Sequence, residues 1–324
     1  MVEGKASTNF IRGMLYLLPA IVLLGIFTFY PLINTFIISF KEGYNYMTGS
    51  FDSWGFGNYE LIANPLNPFR KYLFNTMIIV FVSVPLSIIL SLVIAVALNS
   101  VKSLQKFFQT VFFLPYVTNT IAIGMVFSVM FESNQGLVNT IISFFGGNGV
   151  NWLGGNKDNI WLFEFAKDNK WFNSQYFTSL IVLLVYIVWN SLPFKILILL
   201  SALQSVDKQY YQAAQIDGTS KLRTFTKITV PLLSPQIFYL LITSFIGAFK
   251  EYTSVVAIFG NTASSIGSHN NMATVVWFIY DKIKGEGAGG KTMGYASAGA
   301  VVLFLIILFF TAINKVIEKK KVHF

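Results

Sequence analysis

Residues 285–292 read Gly-Glu-Gly-Ala-Gly-Gly-Lys-Thr, which fits G-x-x-x-x-G-K-S/T, the pattern of a loop that cradles phosphates with its backbone N–H groups. The same glycines fit G-x-G-x-x-G, the turn that admits a dinucleotide's pyrophosphate. Either chemistry needs a buried strand before the loop and, after it, a soluble helix whose N-terminus faces the phosphate. Here Asp281-Lys282-Ile283-Lys284 precedes the loop and an apolar run begins almost at once behind it. No hydrophobic strand ending in a magnesium-binding Asp is visible elsewhere, so the segment is expected to be a flexible glycine-rich connection. Other chemistries thin out quickly. With no cysteine there is no disulfide framework, zinc cluster or thiol nucleophile, and two histidines, His269 and His323, cannot build a metal site. No catalytic residue, metal or cofactor is expected. What remains is a few ionisable groups inside apolar runs: Lys195, Lys250 and Glu251. Such groups are expensive in a bilayer and mark water-filled paths.

The elements that must hold them are apolar. Hydrophobic residues make up 54% of the chain and charged residues 11%, under half the charge of an ordinary soluble domain, about 25%. Six uncharged or nearly uncharged runs are long enough to cross a bilayer: Met14–Phe40, Tyr72–Leu98, Phe107–Phe131, Phe177–Leu203, Pro231–Tyr252 and Met293–Ile313. The first is too long for the apolar core of a cleaved signal peptide. The expected fold is therefore an all-α membrane protein of six transmembrane helices. Residues 1–13 form an N-terminal tail, 14–313 the membrane domain and 314–324 a basic tail.

Six spans place both termini on one side. The tails, 99–106 and 204–230 hold twelve basic and four acidic residues, whereas the opposite loops hold nine of each. The positive-inside rule puts the basic side in the cytoplasm, so the net charge of +9 is a topology signal and not a nucleic-acid footprint. The glycine-rich loop then lies outside, away from ATP. Pro19, Pro31, Pro85, Pro115, Pro193 and Pro235 punctuate the spans, and a helical bundle tolerates such breaks. The outer loop 132–176 is expected to form short surface helices, with Trp152, Trp161 and Trp171 as an interfacial belt or, alternatively, a contact with an external partner.

Between the fourth and fifth spans lies a polar island, Tyr210 to Pro231, that reads as helix, sharp turn, helix. Asp207 caps the first helix, Asp217-Gly218 stops it, and Thr219 or Ser220 caps the second. Ala213 and Ala214 leave one side nearly flat, suited to docking in a groove of another protein. The stretch resembles the "EAA" loop of permease subunits in binding-protein-dependent ABC importers, E-A-A-x-x-D-G-A followed after about nine residues by I-x-L-P. Ala213, Ala214, Asp217, Gly218, Ile228 and Pro231 fall at the motif spacing, while Gln212, Thr219 and Val230 replace its Glu, Ala and Leu. Six such matches arise by chance in roughly one chain in tens of thousands at ordinary residue frequencies. The change from Glu to Gln212 removes a charge but keeps a hydrogen-bonding group.

The resemblance to the sugar-importing branch extends to Trp189-x-x-x-Pro193-Phe194, Leu203-Gln204-Ser205-Val206, Ser244-Phe245 and Gly294-Tyr295-Ala296-Ser297-Ala298. It implies a type I ABC importer permease fold whose fourth and fifth spans line the substrate path. Helical periodicity independently puts Ile187, Asn190, Ser191 and Phe194 on one face, and Ser244, Ala248 and Glu251 on another. A neutral sugar needs acceptors for its hydroxyls and flat apolar surface for its C–H faces. Asn190, Ser191, Ser244 and Glu251 offer the first; Trp189, Phe194 and Tyr252 the second. Ser and Asn in spans also serve helix–helix hydrogen bonding. Lys250 snorkels or pairs with Glu251, and Lys195, off the candidate face, snorkels or pairs within the bundle.

The implied function is a permease subunit of an importer for a sugar, an oligosaccharide by expectation, in the cell membrane of a prokaryote. Implied partners are a second homologous permease, a cytoplasmic ATPase dimer docked through Gln212, Ala213, Ala214, Asp217 and Gly218, and an extracellular solute-binding protein. The Lys-rich tail lacks the Gly-rich ending of the downstream sugar permease and favours the role of the maltose "F"-type subunit. Two competing readings are import of glycerol phosphate or another polar solute, and a secondary transporter driven by protonation of Glu251.

Overall fold

The structure, a computed structural model, describes residues 3–101, 105–133, 135–153, 173–260, 272–284 and 291–321. It is mostly helical. Among the described residues, four helical stretches are long and apolar enough to cross a membrane, and two further pairs of helices qualify if each bent pair is one span. His269, His323, Trp161, Trp171 and Gly285–Gly290 lie outside the described residues.

The chain forms two compact units, 1–67 with 278–304 and 68–277 with 305–324. The first opens with α1 (Glu3–Leu24), a π-helical turn over Gly25–Phe29 and α2 (Tyr30–Ser39). The π turn has a chemical cause. Pro31 has no N–H to give the carbonyl four residues back, so the ladder slips by one residue just before it. A second π turn, Phe225–Thr229, stands before Pro231 for the same reason. Beyond α2 comes a two-stranded antiparallel hairpin, β1 (Lys41–Glu42) with β2 (Ser53–Trp54), then α3 (Gly57–Ala63). The hairpin is a small departure from the all-helical expectation. The Glu42 carboxylate accepts hydrogen bonds from Ser53 Oγ (2.6 Å) and the Gly57 N–H (2.8 Å), which hold its pKa below the usual carboxylate value. This unit also holds α14 (Val275–Lys284) from Phe278 on, and the first part of α15 (Met293–Lys321). Gly294, in the first turn of α15, has no room for a side chain, because a Cβ there would stand 2.2 Å from the Lys41 carbonyl oxygen.

The second unit is built on α4 (Phe69–Ser100) and α8 (Ser174–Ser205), each 32 residues long and packed along one another. Ser83, Ser87 and Ser91, at i, i+4 and i+8, are buried on one face of α4, a small-residue stripe that lets another helix approach closely. Two apolar clusters flank the middle of the pair. One gathers Ile79, Tyr176, Leu183, Tyr186 and Val255; the other Leu92, Leu98, Ile196, Leu200 and Leu240.

The third apolar run is not one straight helix. It divides into α5 (Gln105–Val117) and α6 (Thr120–Met130), with 102° between the segments 109–117 and 120–130. The break is capped: Asn119 Oδ1 accepts from the N–H groups of Ile121 (2.9 Å) and Ala122 (3.2 Å). The fifth run breaks as well, between α11 (Val230–Leu232) and α12 (Ser234–Phe249), with Pro235 in the first turn of α12. The segment 132–153 contains α7 (Leu137–Phe144). Trp152 corrects the belt expectation: it is 8% exposed, sits edge-on to Phe131 and donates its indole N–H to Asn139 Oδ1 at 2.9 Å. A buried indole needs such a partner, and Asn139 supplies it.

Candidate functional site

Near the midpoint of α4 and α8, between the two apolar clusters, the second unit contains a cavity of about 370 Å³. Its wall from α8 is Ile187, Asn190, Ser191, Phe194 and Lys195; from α12 come Thr243, Ser244, Gly247 and Ala248. Glu251 closes one part of it, and α4 and α5 add Ser83, Ser87 and Tyr116. The Tyr116 and Phe194 rings stack with centroids 5.8 Å apart. The cavity therefore combines amide, hydroxyl and carboxylate groups with a flat aromatic wall.

Six of the eight path residues expected from sequence meet here: Asn190, Ser191, Phe194, Ser244, Ala248 and Glu251. The other two do not line the cavity. Trp189 is 37% exposed and packs on Phe127 with ring centroids 5.2 Å apart, and Tyr252 packs against the apolar cluster that includes Tyr186. Trp189 precedes Asn190 by one residue and so lies about 100° around the helix from it.

The premise that placed Glu251 needs correcting. α12 ends at Phe249, and α13 (Thr253–Phe259) starts after a break at Glu251–Tyr252, so Glu251 is not on a helical face shared with Ser244. Its carboxylate accepts from the Ser254 N–H at 2.9 Å, and its backbone carbonyl from Thr274 Oγ1 at 2.7 Å. This satisfies a donor at the start of α13 that would otherwise lack a partner. No ion pair joins Lys250 to Glu251. Lys195 does not snorkel. It is 5% exposed, and its ammonium donates to Ser87 Oγ and, at 3.3 Å, to Ser191 Oγ.

The polar island folds as α9 (Lys208–Ile216) and α10 (Lys221–Thr224). Asp207 Oδ1 accepts from the Gln209 N–H at 2.9 Å, and Ser220 Oγ faces the Arg223 N–H at 3.4 Å. At the turn the Thr219 N–H donates to the Ala214 carbonyl (2.9 Å) and the Gly218 N–H to the Gln215 carbonyl (3.1 Å), a Schellman pair with Gly218 at φ +64°. The two alanines part company: Ala213 is exposed, Ala214 is 5% exposed and packed inward. The outer surface is Gln212, Ala213, Ile216 (86% exposed) and, on α10, Leu222.

The flanks of the glycine-rich segment are also visible. A helix, α14, precedes it where a phosphate loop has a strand. Lys291 pairs with Asp52 at 2.8 Å, and Thr292 Oγ1 donates to the Lys282 carbonyl at 2.5 Å.

The chain that builds this cavity and hairpin matches a known family. Residues 87–323 match the model of the binding-protein-dependent transport system inner membrane component. The chain belongs to this family. The permease is 29% identical over 303 residues to the arabinooligosaccharides transport system permease protein of Bacillus subtilis, covering 93% of this chain and 86% of that protein. It is 30% identical over 308 residues to the lactose transport system permease protein of Rhizobium radiobacter, covering 94% and 92%. Its fold matches a bacterial alginate ABC transporter solved with an alginate pentasaccharide-bound periplasmic protein, at TM-score 0.74 and 20% identity over 98% and 96% of the two chains. The permease is a membrane transport subunit and not an enzyme; in such systems ATP hydrolysis belongs to a separate subunit.

Sequence reading missed Ser83, Ser87, Tyr116, Thr243, Gly247 and the position of Lys195. The serine stripe of α4 was the available signal. Nothing in linear spacing pairs it with Lys195, 108 residues away.

Proposed function

We propose that the permease forms half of the translocation pathway of an ATP-driven importer for a sugar, specifically an oligosaccharide, beside a second homologous permease. Each bent helix pair counts as one span in this reading, which gives six spans with both termini cytoplasmic. An extracellular solute-binding protein delivers substrate. One subunit of a cytoplasmic ATPase dimer seats against the hairpin at Gln212, Ala213, Asp217 and Gly218, with Ala214 anchoring α9 from beneath. When ATP closes the dimer, the seated hairpin moves with it and the bundle exchanges inward for outward access.

The observation that carries this reading is the mid-height cavity, whose acceptors and stacked Tyr116–Phe194 wall suit sugar hydroxyls and C–H faces. The test is uptake by proteoliposomes holding the complete importer. Oligosaccharide uptake should need internal ATP and external binding protein together. A pH gradient driving uptake through the isolated chain would instead support a secondary transporter. Import of glycerol phosphate or another polar solute is the second reading, and the observation in its favour is the buried ammonium of Lys195 beside the cavity.

A further inference from the structure

Lys195 and Glu251 both border the cavity, but their charges are answered differently. The Glu251 carboxylate has a backbone N–H, that of Ser254, hydrogen-bonded to it at 2.9 Å. The Lys195 ammonium is 5% exposed and its partners are two neutral hydroxyls, Ser87 Oγ and Ser191 Oγ. Among the described residues, no carboxylate lies within ion-pair distance of it. An ammonium has three donors and a full charge, and a buried cation is costly unless an anion meets it. Ser87 and Ser191 hold the ammonium from α4 and α8, with all three residues on the cavity wall. Among the described residues Glu251 too has no cation within ion-pair distance, but its carboxylate is engaged by the Ser254 N–H at the start of α13, whereas two hydroxyls answer only two of the three N–H donors of the ammonium.

We propose that Lys195, positioned by Ser87 and Ser191, is a specificity-determining residue that receives an anionic group of the substrate, so that the transported saccharide bears a carboxylate or similar acid. The inference rests on the oligosaccharide reading and narrows it. Asn190, Ser244 and the Tyr116–Phe194 wall serve the neutral part of the ligand, and Lys195 the acidic part. A neutral saccharide of the same length would leave the ammonium without its counter-charge.

The experiment compares uptake of a trigalacturonate, maltotriose and glycerol 3-phosphate by proteoliposomes holding the whole importer with its binding protein. The wild type should carry the trigalacturonate at least tenfold better than maltotriose. Lys195→Gln should lower that ratio tenfold or more, whereas Lys195→Arg keeps it. Ser87→Ala, a milder change that removes one partner of the ammonium, should lower it severalfold. Co-purification of the ATPase monitors assembly of each variant. A trigalacturonate-to-maltotriose ratio that is the same in wild type and Lys195→Gln would overturn the role of Lys195 and leave the oligosaccharide reading standing. Uptake of glycerol 3-phosphate alone, lost in Lys195→Gln, would keep the anion-receiving role and overturn the oligosaccharide reading. Uptake of none of the three by the wild type would overturn both.

Discussion

Under the proposed function, Glu251 serves folding and transport together. Its carboxylate holds the Ser254 N–H while it borders the cavity, so truncation removes both a cap and an acceptor. A hydrogen bond to a charged group contributes about 1.5–3 kcal/mol, and Glu251→Ala should therefore lower uptake roughly tenfold or more. Glu251→Gln keeps an oxygen for the Ser254 N–H, so it should retain wild-type thermal stability in detergent while still losing transport. Equal transport by Glu251→Gln and wild type would reduce Glu251 to a cap. At this scale the sequence was readable where one helix carries the pattern, as with Asn190, Ser191 and Phe194. It was misleading at Glu251, because a periodicity argument runs straight through a helix end that only packing creates.

At the scale of elements, caps and close approaches decide where helices stop and meet. Asp207 and the Asp217-Gly218 stop were legible, since both signals are local. The 102° bend at Asn119 was not, because apolar composition alone cannot tell one span from two segments. The α6–α13 contact was equally hidden. A Cβ on Gly124 would come within 2.3 Å of the Ala257 Cβ. Overpacking of this kind costs typically 1–3 kcal/mol, so Gly124→Val should lower the unfolding temperature of the purified complex. Adding Ala257→Gly should restore part of the loss, and absence of any recovery would place the strain elsewhere. Gly218 is a different case: nothing lies within 4 Å of its would-be Cβ, and the obstacle is φ +64°. A side chain there costs on the order of 1 kcal/mol of backbone strain and stands out on the exposed turn. Gly218→Val is expected to assemble poorly with the ATPase and to abolish uptake while binding-protein docking persists. Normal uptake by that variant would remove the hairpin from the coupling role.

For the molecule as a whole, the helical character was open to reading because a bilayer imposes it on composition, and the family because the spacing of Ala213, Ala214, Asp217, Gly218, Ile228 and Pro231 is local. The division of the spans and the cavity's membership came from contacts between distant segments. Lys291 of the glycine-rich segment makes an exposed pair with Asp52, and such pairs contribute about 0–1 kcal/mol. Lys291→Ala should leave ATP hydrolysis and uptake by the importer within about twofold of wild type. Loss of hydrolysis with assembly intact would revive the phosphate-loop reading.

The lysine in the middle of α8 has a consequence for how the chain is made. A lysine at the centre of a span adds about 2.5–3.5 kcal/mol to the cost of insertion. α4 leaves the ribosome roughly a hundred residues ahead of α8, so Ser87, which accepts from the Lys195 ammonium in the folded chain, would be available when Lys195 enters the bilayer. Biogenesis would then run in order, with the earlier helix serving as host for the later one. A glycosylation-mapped translation series should find α8 inserting less fully without α4 than with it, and Ser87→Ala shifting the full chain toward the poorer value. The arrangement that holds the ammonium in the finished permease would thus first have acted as a receptor during synthesis.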